Sequence, residues 1–159
     1  SVTAYEPTLS ALMAADAIII GPGDLYSSVI PNLLVSGIPE AINTSKATVI
    51  FVCNLMTKHG ETDGFRASTF LKEILKVLGP SGRVDYCLID DVEYEPDLVD
   101  VYSSERSFPI VRDTEECTHY AGSVRMAPLS CCGTLIRHDP QLLGNEIMQI
   151  TNQIVEVRR

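Results

Sequence analysis

The residues best placed for chemistry form a short glycine loop after the apolar run at residues 17–20: Gly21, Pro22, Gly23, Asp24, Leu25, Tyr26, Ser27 and Ser28. Two glycines allow a tight turn and close backbone approach, so that amide N–H groups can point at a phosphate. The two serine hydroxyls stand at a predicted helix start, where an anion is favoured. Short glycine loops are common, so a plain strand-to-helix turn is the alternative. The pattern alone leaves a phosphate site and a simple turn equally open.

A second polar loop, residues 54–64, follows the clearest strand pattern, residues 48–53. It is long for a strand-to-helix connection, and long loops inside compact domains are often functional. Its candidate ligand-binding residues are Asn54, Thr57, Glu61 and Thr62. The carboxylates of Glu61 and Asp63 suit a metal or ribose hydroxyls. The alternative is that residues 61–63 cap the next helix, and we expect capping to account for one of them.

A third candidate is Arg137 and His138, which follow a predicted strand near the C-terminus. Arginine and histidine suit an anion, and histidine also serves as an acid or base. We expect Asp139 to cap a helix whose first position is Pro140, and leave the roles of Arg137 and His138 open. The acidic residues 90–93 read as a solvated loop.

No catalytic group can be assigned from the sequence. Neither a serine or cysteine triad nor a nucleophile elbow is recognisable. The three histidines lack the spacing of metal ligands, so a metal site stays unknown.

Periodicity predicts helices at residues 7–15, 38–45, 66–78, 96–102 and 140–157, and strands at 17–20, 48–53 and 84–89. Weaker strand patterns occupy residues 109–111, 123–126 and 134–137. A turn of helix before Pro31 is expected, capped by Ser27 or Ser28. The alternation predicts one α/β unit over residues 1–159, with a mostly parallel sheet flanked by helices.

The composition limits the classes of function that this chain can have. The net charge is -9 and no run of Lys or Arg occurs, which argues against a nucleic-acid binder. The apolar runs are too short to span a bilayer and no leader is visible, so we expect no membrane association. Five cysteines without a regular framework favour a reducing, cytoplasmic setting. We expect them to be small, buried or reduced residues, Cys131 and Cys132 included.

The two loops also carry a resemblance. Residues 15–35 read ADAIIIGPGDLYSSVIPNLLV, and VCNLMT at 52–57 precedes GETDG at 60–64. These segments closely resemble the gluconeogenesis-factor family (YvcK type, CofD-like), relatives of 2-phospho-L-lactate transferase. Residues 104–105, 108–111 and 137–140 resemble its later landmarks. The resemblance covers essentially the whole chain. It implies a Rossmann-like fold of which this chain is the C-terminal half, without the glycine-rich nucleotide loop of the N-terminal half.

The resemblance further implies a regulator that binds a nucleotide sugar, namely a UDP-sugar, and acts in carbon metabolism and cell shape. The site then needs the missing N-terminal half, and a homo-oligomer is compatible with the pattern. The transferase branch implies the alternative, a magnesium-dependent 2-phospho-L-lactate-type transferase acting on a deazaflavin. A third reading is a half that serves only in oligomerisation. Asp24 replaces the family's usual serine, and Lys58 and His59 replace glutamine and a small residue.

Overall fold

The computed structural model describes residues 2–157, without the side chains of residues 132 and 154–157. The strands are β1 (Ala17–Ile20), β2 (Thr48–Val52), β3 (Tyr86–Asp90), β4 (Ser123–Ala127), β5 (Ser130–Cys132) and β6 (Ile136–His138). The helices are α1 (Glu6–Ala14), α2 (Ile30–Leu33), α3 (Ile38–Thr44), α4 (Ala67–Leu78), α5 (Pro96–Ser104), α6 (Thr114–Cys117) and α7 (Pro140–Val157). Most of them match the predicted elements within a few residues. Helix α6 and strand β5 were not predicted.

Four strands form one parallel sheet in the order β1-β2-β3-β4. Every residue of β2 is buried, which explains its continuous β-branched and aromatic sequence. The mostly parallel α/β fold predicted from the sequence is therefore confirmed.

Strands β5 and β6 form a separate antiparallel hairpin, in which Ser130 lies opposite His138. The predicted strand at residues 134–137 thus belongs to this hairpin and not to the main sheet. The predicted strand at residues 109–111 is wrong. There Pro109 and Val111 make only isolated bridges, with Met56 and Arg66.

The sheet separates two apolar clusters. On one face Phe51 packs with Phe70, Leu71 and Ile74 of α4. On the other face Ile50, Val52 and Leu88 pack with residues that include Leu129 and, from α7, Ile150. Complete burial of such side chains stabilises the fold by about 1.5–3 kcal/mol each. The sheet ends are thereby fixed firmly enough to hold loops in place.

The chain leaves β1 through a π-helical turn, Leu25–Val29, which runs directly into α2. Pro31 lies in the first turn of α2, where its missing N–H is tolerated. No side chain caps either segment. A helical turn before Pro31 is therefore confirmed, as Leu25–Val29, but the expected cap by Ser27 or Ser28 is wrong.

Three of the cysteines, Cys53, Cys87 and Cys117, are buried free thiols, as expected. Cys131 is exposed but is also a free thiol, which agrees with the expectation of a buried or reduced residue. The side chain of Cys132 lies outside the described part of the structure.

Candidate functional site

A cavity of about 730 Å³ opens at the carboxyl ends of β1 and β2. We call it the cleft. It is lined by four segments: residues 22–25 of the glycine loop, residues 54–58 with Thr62, Tyr102 with Ser107, and residues 136–138 of β6. Ligands of open α/β sheets sit beyond the carboxyl ends of the strands, so the cleft occupies the expected place for a ligand. All three candidate regions of the sequence contribute to it.

The glycine loop needs glycine at Gly21. This residue has φ +84°, and a Cβ there would lie 3.0 Å from the Val52 carbonyl oxygen. Gly23 lacks a positive φ, and a Cβ there would meet Val29 Cγ2 at 3.4 Å. The conformational demand thus falls on Gly21, whereas Gly23 is the glycine that lines the cleft.

Asp24 reaches across the cleft mouth to the second loop. Its carboxylate lies 2.5 Å from Lys58 Nζ, and Lys58 Nζ lies 2.7 Å from Glu61 Oε1. Hydrogen bonds to Asp24 and Glu61 raise the pKa of Lys58, so the ammonium is charged. A carboxylate in the glycine loop is therefore paired with a cation, which reduces its conflict with an anionic ligand.

The polar residues of the second loop already make hydrogen bonds within the protein. Asn54 Nδ2 donates to the Gly23 carbonyl at 2.9 Å. Thr57 Oγ1 accepts from Phe108 N at 2.9 Å, and Thr62 Oγ1 accepts from Lys58 N at 2.8 Å. Thr57 and Thr62 are buried. Their hydroxyls hold the loop in shape, and their ligand roles stay predictions.

Four predicted site residues do not line the cleft: Gly21, Tyr26, Ser27 and Glu61. The Tyr26 ring packs edge-on against Phe65 at 6.3 Å and so faces the start of α4. Ser27 Oγ donates to Asp24 Oδ2 at 3.5 Å. Glu61 pairs with Lys58 through Oε1, while its buried Oε2 has no hydrogen-bond partner among the described residues.

The β6 wall of the cleft carries Arg137 and His138. Arg137 is exposed, and within the described part of the chain its guanidinium makes no hydrogen bond or ion pair. His138 is half-buried, and its Nε2 is enclosed without a partner there. Burial lowers the pKa of His138, although the charge of Asp90 and a hydrogen bond at the Cys53 backbone act to raise it. The imidazole is therefore neutral near pH 7.

Asp90 is buried beneath this wall and is not part of a solvated loop, as the acidic sequence had suggested. Its carboxylate accepts hydrogen bonds from Leu129 N at 2.8 Å, Ser130 Oγ at 2.9 Å and Tyr94 OH at 2.7 Å. Asp91 and Glu93 are exposed as expected. Nothing in this acidic run indicates from the sequence that Asp90 is buried while its acidic neighbours are exposed.

The residues missed by the sequence interpretation are Tyr102 and Ser107. Tyr102 OH accepts from Ile136 N at 2.9 Å, and Ser107 Oγ donates to the Thr57 carbonyl at 2.5 Å. Each ties the segment after β3 to one wall of the cleft. Both lie far from the recognisable loops in sequence, so no local pattern marks them.

Of the two helix caps predicted from the sequence, the structure has the one at α7 but not the one at α4. Asp139 caps α7 as predicted, accepting from Leu142 N and Gln141 N, and the first of these bonds chiefly lowers its pKa. Residues 61–63 do not cap α4. Asp113 does so instead, accepting from Ser68 N at 3.0 Å. Asp63 accepts from Gly60 N at 2.7 Å within its own loop.

Among the described residues, no three His, Cys, Asp or Glu side chains come together as a metal-binding group. Within the same part of the chain, no helix combines the length and apolar character needed to cross a membrane.

Comparison with known proteins identifies relatives of the whole unit. The family described as "2-phospho-L-lactate transferase CofD" matches residues 1–130. The chain is similar to the protein named "Gluconeogenesis factor" of Halalkalibacterium halodurans, with 45% identity over 66% of this chain and 32% of that protein. It is also similar to the "Gluconeogenesis factor" of Bacillus subtilis, with 31% identity over 92% of this chain and 46% of that protein.

The fold matches a crystal structure of a UPF0052-family member from Bacillus halodurans with a TM-score of 0.87. The two sequences are 34% identical, and the match covers 92% of this chain and 47% of that chain. The chain thus spans about a third to a half of the length of these relatives. This coverage is consistent with the prediction of half a CofD-like domain.

Proposed function

Because this chain belongs to the CofD family and is similar to its gluconeogenesis factors, we propose that it binds a nucleotide sugar, a UDP-sugar, and acts as a regulator. The observation that carries this proposal is the cleft, where polar loops and an unpaired arginine meet at the carboxyl ends of β1 and β2. We extend to the chain the cytoplasmic role in carbon metabolism and cell shape that the resemblance implies.

The charge distribution supports an anionic ligand in the cleft. The chain carries a net charge of -9, so a diphosphate must be held by local cations and donors. Arg137 offers a planar guanidinium suited to bidentate contact with phosphate oxygens. Its charge is not cancelled by a described carboxylate, whereas that of Lys58 is shared between Asp24 and Glu61. Arg137 is therefore our first choice for the diphosphate, with the glycine loop beside it.

A buried thiol next to the cleft, Cys53, and the histidine in the cleft wall, His138, support a regulator over an enzyme. Burial raises the pKa of Cys53, which keeps it a neutral thiol and a poor nucleophile. His138 engages the Cys53 backbone, and no described side chain serves as its acid–base partner. The described residues of the cleft therefore offer binding groups without an activated nucleophile.

The open edge of β1 supports completion of the site by the other half of the domain. Among the described residues β1 pairs with β2 alone, and Ile19 is 41% exposed. Beside it, α1 buries none of its residues, and an apolar cavity of about 610 Å³ separates α1 from β1. Because this chain covers 47% of the matched crystal structure, we propose that a strand of the remaining half pairs with β1.

The description of the matching family, a 2-phospho-L-lactate transferase, favours one alternative. It is the magnesium-dependent transferase acting on a deazaflavin that the resemblance implies. The nearby carboxylates Asp24 and Glu61 both pair with Lys58 and do not form a ligand set in the described residues. These residues do not by themselves fit a magnesium ion. Magnesium would need ligands from another part of the domain.

Calorimetric titration with UDP-glucose tests the proposal, using this chain alone and in its full-length context. We expect binding in the full-length context, and we expect Arg137→Ala to weaken it by about 1.5–3 kcal/mol, the range for hydrogen bonds to charged groups. Arg106→Ala is the matched control, since Arg106 is exposed but outside the cleft. Equal affinities of the Arg137→Ala and Arg106→Ala variants for UDP-glucose would show that the cleft is not the binding site. Magnesium-dependent product formation with a deazaflavin acceptor would establish the transferase instead.

Sedimentation of the isolated chain tests whether β1 pairs with a strand of the remaining half or with a second copy of this chain. We expect a monomer that associates with the separately expressed remaining half. A stable homodimer that leaves the added half unbound would contradict this assignment and favour pairing between two copies.

A further inference from the structure

We propose that Asp90 is a positioning residue of the cleft, which fixes the β5–β6 hairpin and thereby sets the place of His138 in the cleft wall. The role in ligand binding rests on the function proposed above. The effect on the hairpin does not, because it can be measured without a ligand.

The Asp90 carboxylate is buried and bonded to the start of the hairpin. The carboxylate is only 4% exposed and stands at the carboxyl end of β3, so the main sheet fixes its position. It accepts hydrogen bonds from the backbone of Leu129 and the hydroxyl of Ser130, at the start of β5. A third hydrogen bond, from Tyr94 OH at 2.7 Å, goes to Oδ2, the oxygen that also accepts from Ser130. One buried carboxylate therefore ties the start of the hairpin to the end of β3.

The attachment points are also the residues that hold the end of β6. Ser130 lies directly opposite His138 in the hairpin ladder. Leu129, which donates its N–H to Asp90, accepts the N–H of Asp139 at 2.9 Å through its carbonyl oxygen. A single residue thus links Asp90 to each of these backbone positions: Ser130 to His138, and Leu129 to Asp139. A shift of the hairpin at Asp90 must move the imidazole.

Charge adds an independent link. The negative charge of Asp90 acts to raise the pKa of His138, against the stronger effect of burial. The other titratable or charged groups on the surrounding elements are Asp24, Lys58, Tyr94, Tyr102, Arg112, Cys53, Cys131, Arg137 and Asp139. Of these, Lys58 is paired with Asp24 across the cleft. Arg112 donates to the Val92 carbonyl and forms ion pairs with Glu93 and, at 3.9 Å, with Asp90 itself. Asp90 is the buried carboxylate acting on this histidine.

Asp90→Asn in the complete chain separates this role from general stabilisation, with Asp91→Asn as the matched control. Asp91 is the exposed neighbour, so its substitution makes the same change in charge. Two properties are measured by NMR without ligand: the pKa of His138 and the hydrogen-exchange rates of the hairpin amides. A denaturant titration supplies the global stability. Ser130→Ala removes one tie to the hairpin and keeps the charge.

We expect Asp90→Asn to lower the pKa of His138 and to speed exchange of the hairpin amides about tenfold, the size of effect expected for one lost hydrogen bond. Exchange in β2 should change less. Ser130→Ala should speed hairpin exchange without the electrostatic shift of His138, and Asp91→Asn should leave both properties unchanged. Hairpin exchange and a His138 pKa that match those of the Asp91→Asn control would overturn the proposal.

Titration with UDP-glucose in the full-length context then tests the link to binding. We expect Asp90→Asn, but not Asp91→Asn, to weaken binding about tenfold. If the parent protein does not bind UDP-glucose, the proposed function fails while the hairpin measurements still decide the role of Asp90. Normal affinity in Asp90→Asn together with a loosened hairpin would sink the positioning role and leave Asp90 purely structural.

Discussion

The two walls of the cleft are attached to the sheet in different ways. The hairpin wall is held by the buried carboxylate of Asp90, which accepts three hydrogen bonds. In the loop wall, the glycine loop and the second loop are joined by the Asn54–Gly23 hydrogen bond and by the ion pair of Asp24 and Lys58, whose side chains are each 47% exposed. Exposed ion pairs contribute little and are screened by salt, whereas loss of a buried acceptor leaves its donors unsatisfied. A carboxylate therefore contributes more to holding a wall when it is buried, as Asp90 is, than when it is exposed in an ion pair, as Asp24 is.

The largest effect should follow from removing the buried carboxylate. Asp90→Ala leaves the Leu129 N–H and the hydroxyls of Tyr94 and Ser130 without their acceptor. We expect a loss of about 2–4 kcal/mol in the free energy of unfolding. Urea denaturation measures it, with Asp91→Ala as the exposed control. A loss below that of the control would show that the hairpin wall is not held by Asp90.

A smaller effect tests the backbone of the loop wall. Gly21→Ala forces a side chain into a positive φ and within 3.0 Å of the Val52 carbonyl. We expect a cost of about 1–3 kcal/mol in unfolding free energy. Gly60→Ala is the control, because Gly60 has φ +79° but open space around a Cβ. Equal losses at both positions would mean that the steric contact contributes nothing.

The pH dependence of stability sharpens the comparison at His138. Its pKa is lower in the folded chain than the ordinary 6.5, so the unfolded chain takes up the proton first as the pH falls. Stability should be unaffected by this group above that value. It should decrease as the pH falls from about 6.5 towards the lower folded pKa, and then level off. Thermal unfolding between pH 5 and 8 should show a flatter profile for His138→Gln than for His119→Gln, an exposed control. Identical profiles would contradict the burial of a neutral imidazole.

The smallest effect should come from the exposed ion pair. Lys58→Met removes the link to Asp24 and Glu61, and we expect a change in melting temperature close to the error of the measurement. Any difference should vanish in high salt because the charges are screened. A large loss that persists in high salt would show that this pair holds the loop wall as firmly as Asp90 holds the hairpin.

Much of the fold was predictable, because β2 and α4 carry apolar patterns that agree with their burial. The apolar run of β1 predicted the strand but not the exposure of Ile19. The cleft was predictable in part, since strands β1 and β2 end at the same sheet edge. The hydrogen bonds that Asn54 and Thr57 make within the protein were not predictable, because a polar side chain in the sequence does not show whether its partner is a ligand or a backbone group. Asp90 was misread for a related reason. Its partners Leu129 and Ser130 lie 39 and 40 residues away, beyond any local pattern.

The strand order β1-β2-β3-β4 also bears on how the chain folds. From β2 to β4, each strand of the sheet pairs with the strand that precedes it, so every new pairing closes only the connection between two successive strands. Closing a short segment loses less chain entropy than joining distant ones, and local pairing is associated with faster folding. The sheet can therefore grow strand by strand from a first pair. The hairpin can dock only when Asp90, at the end of β3, is already in place.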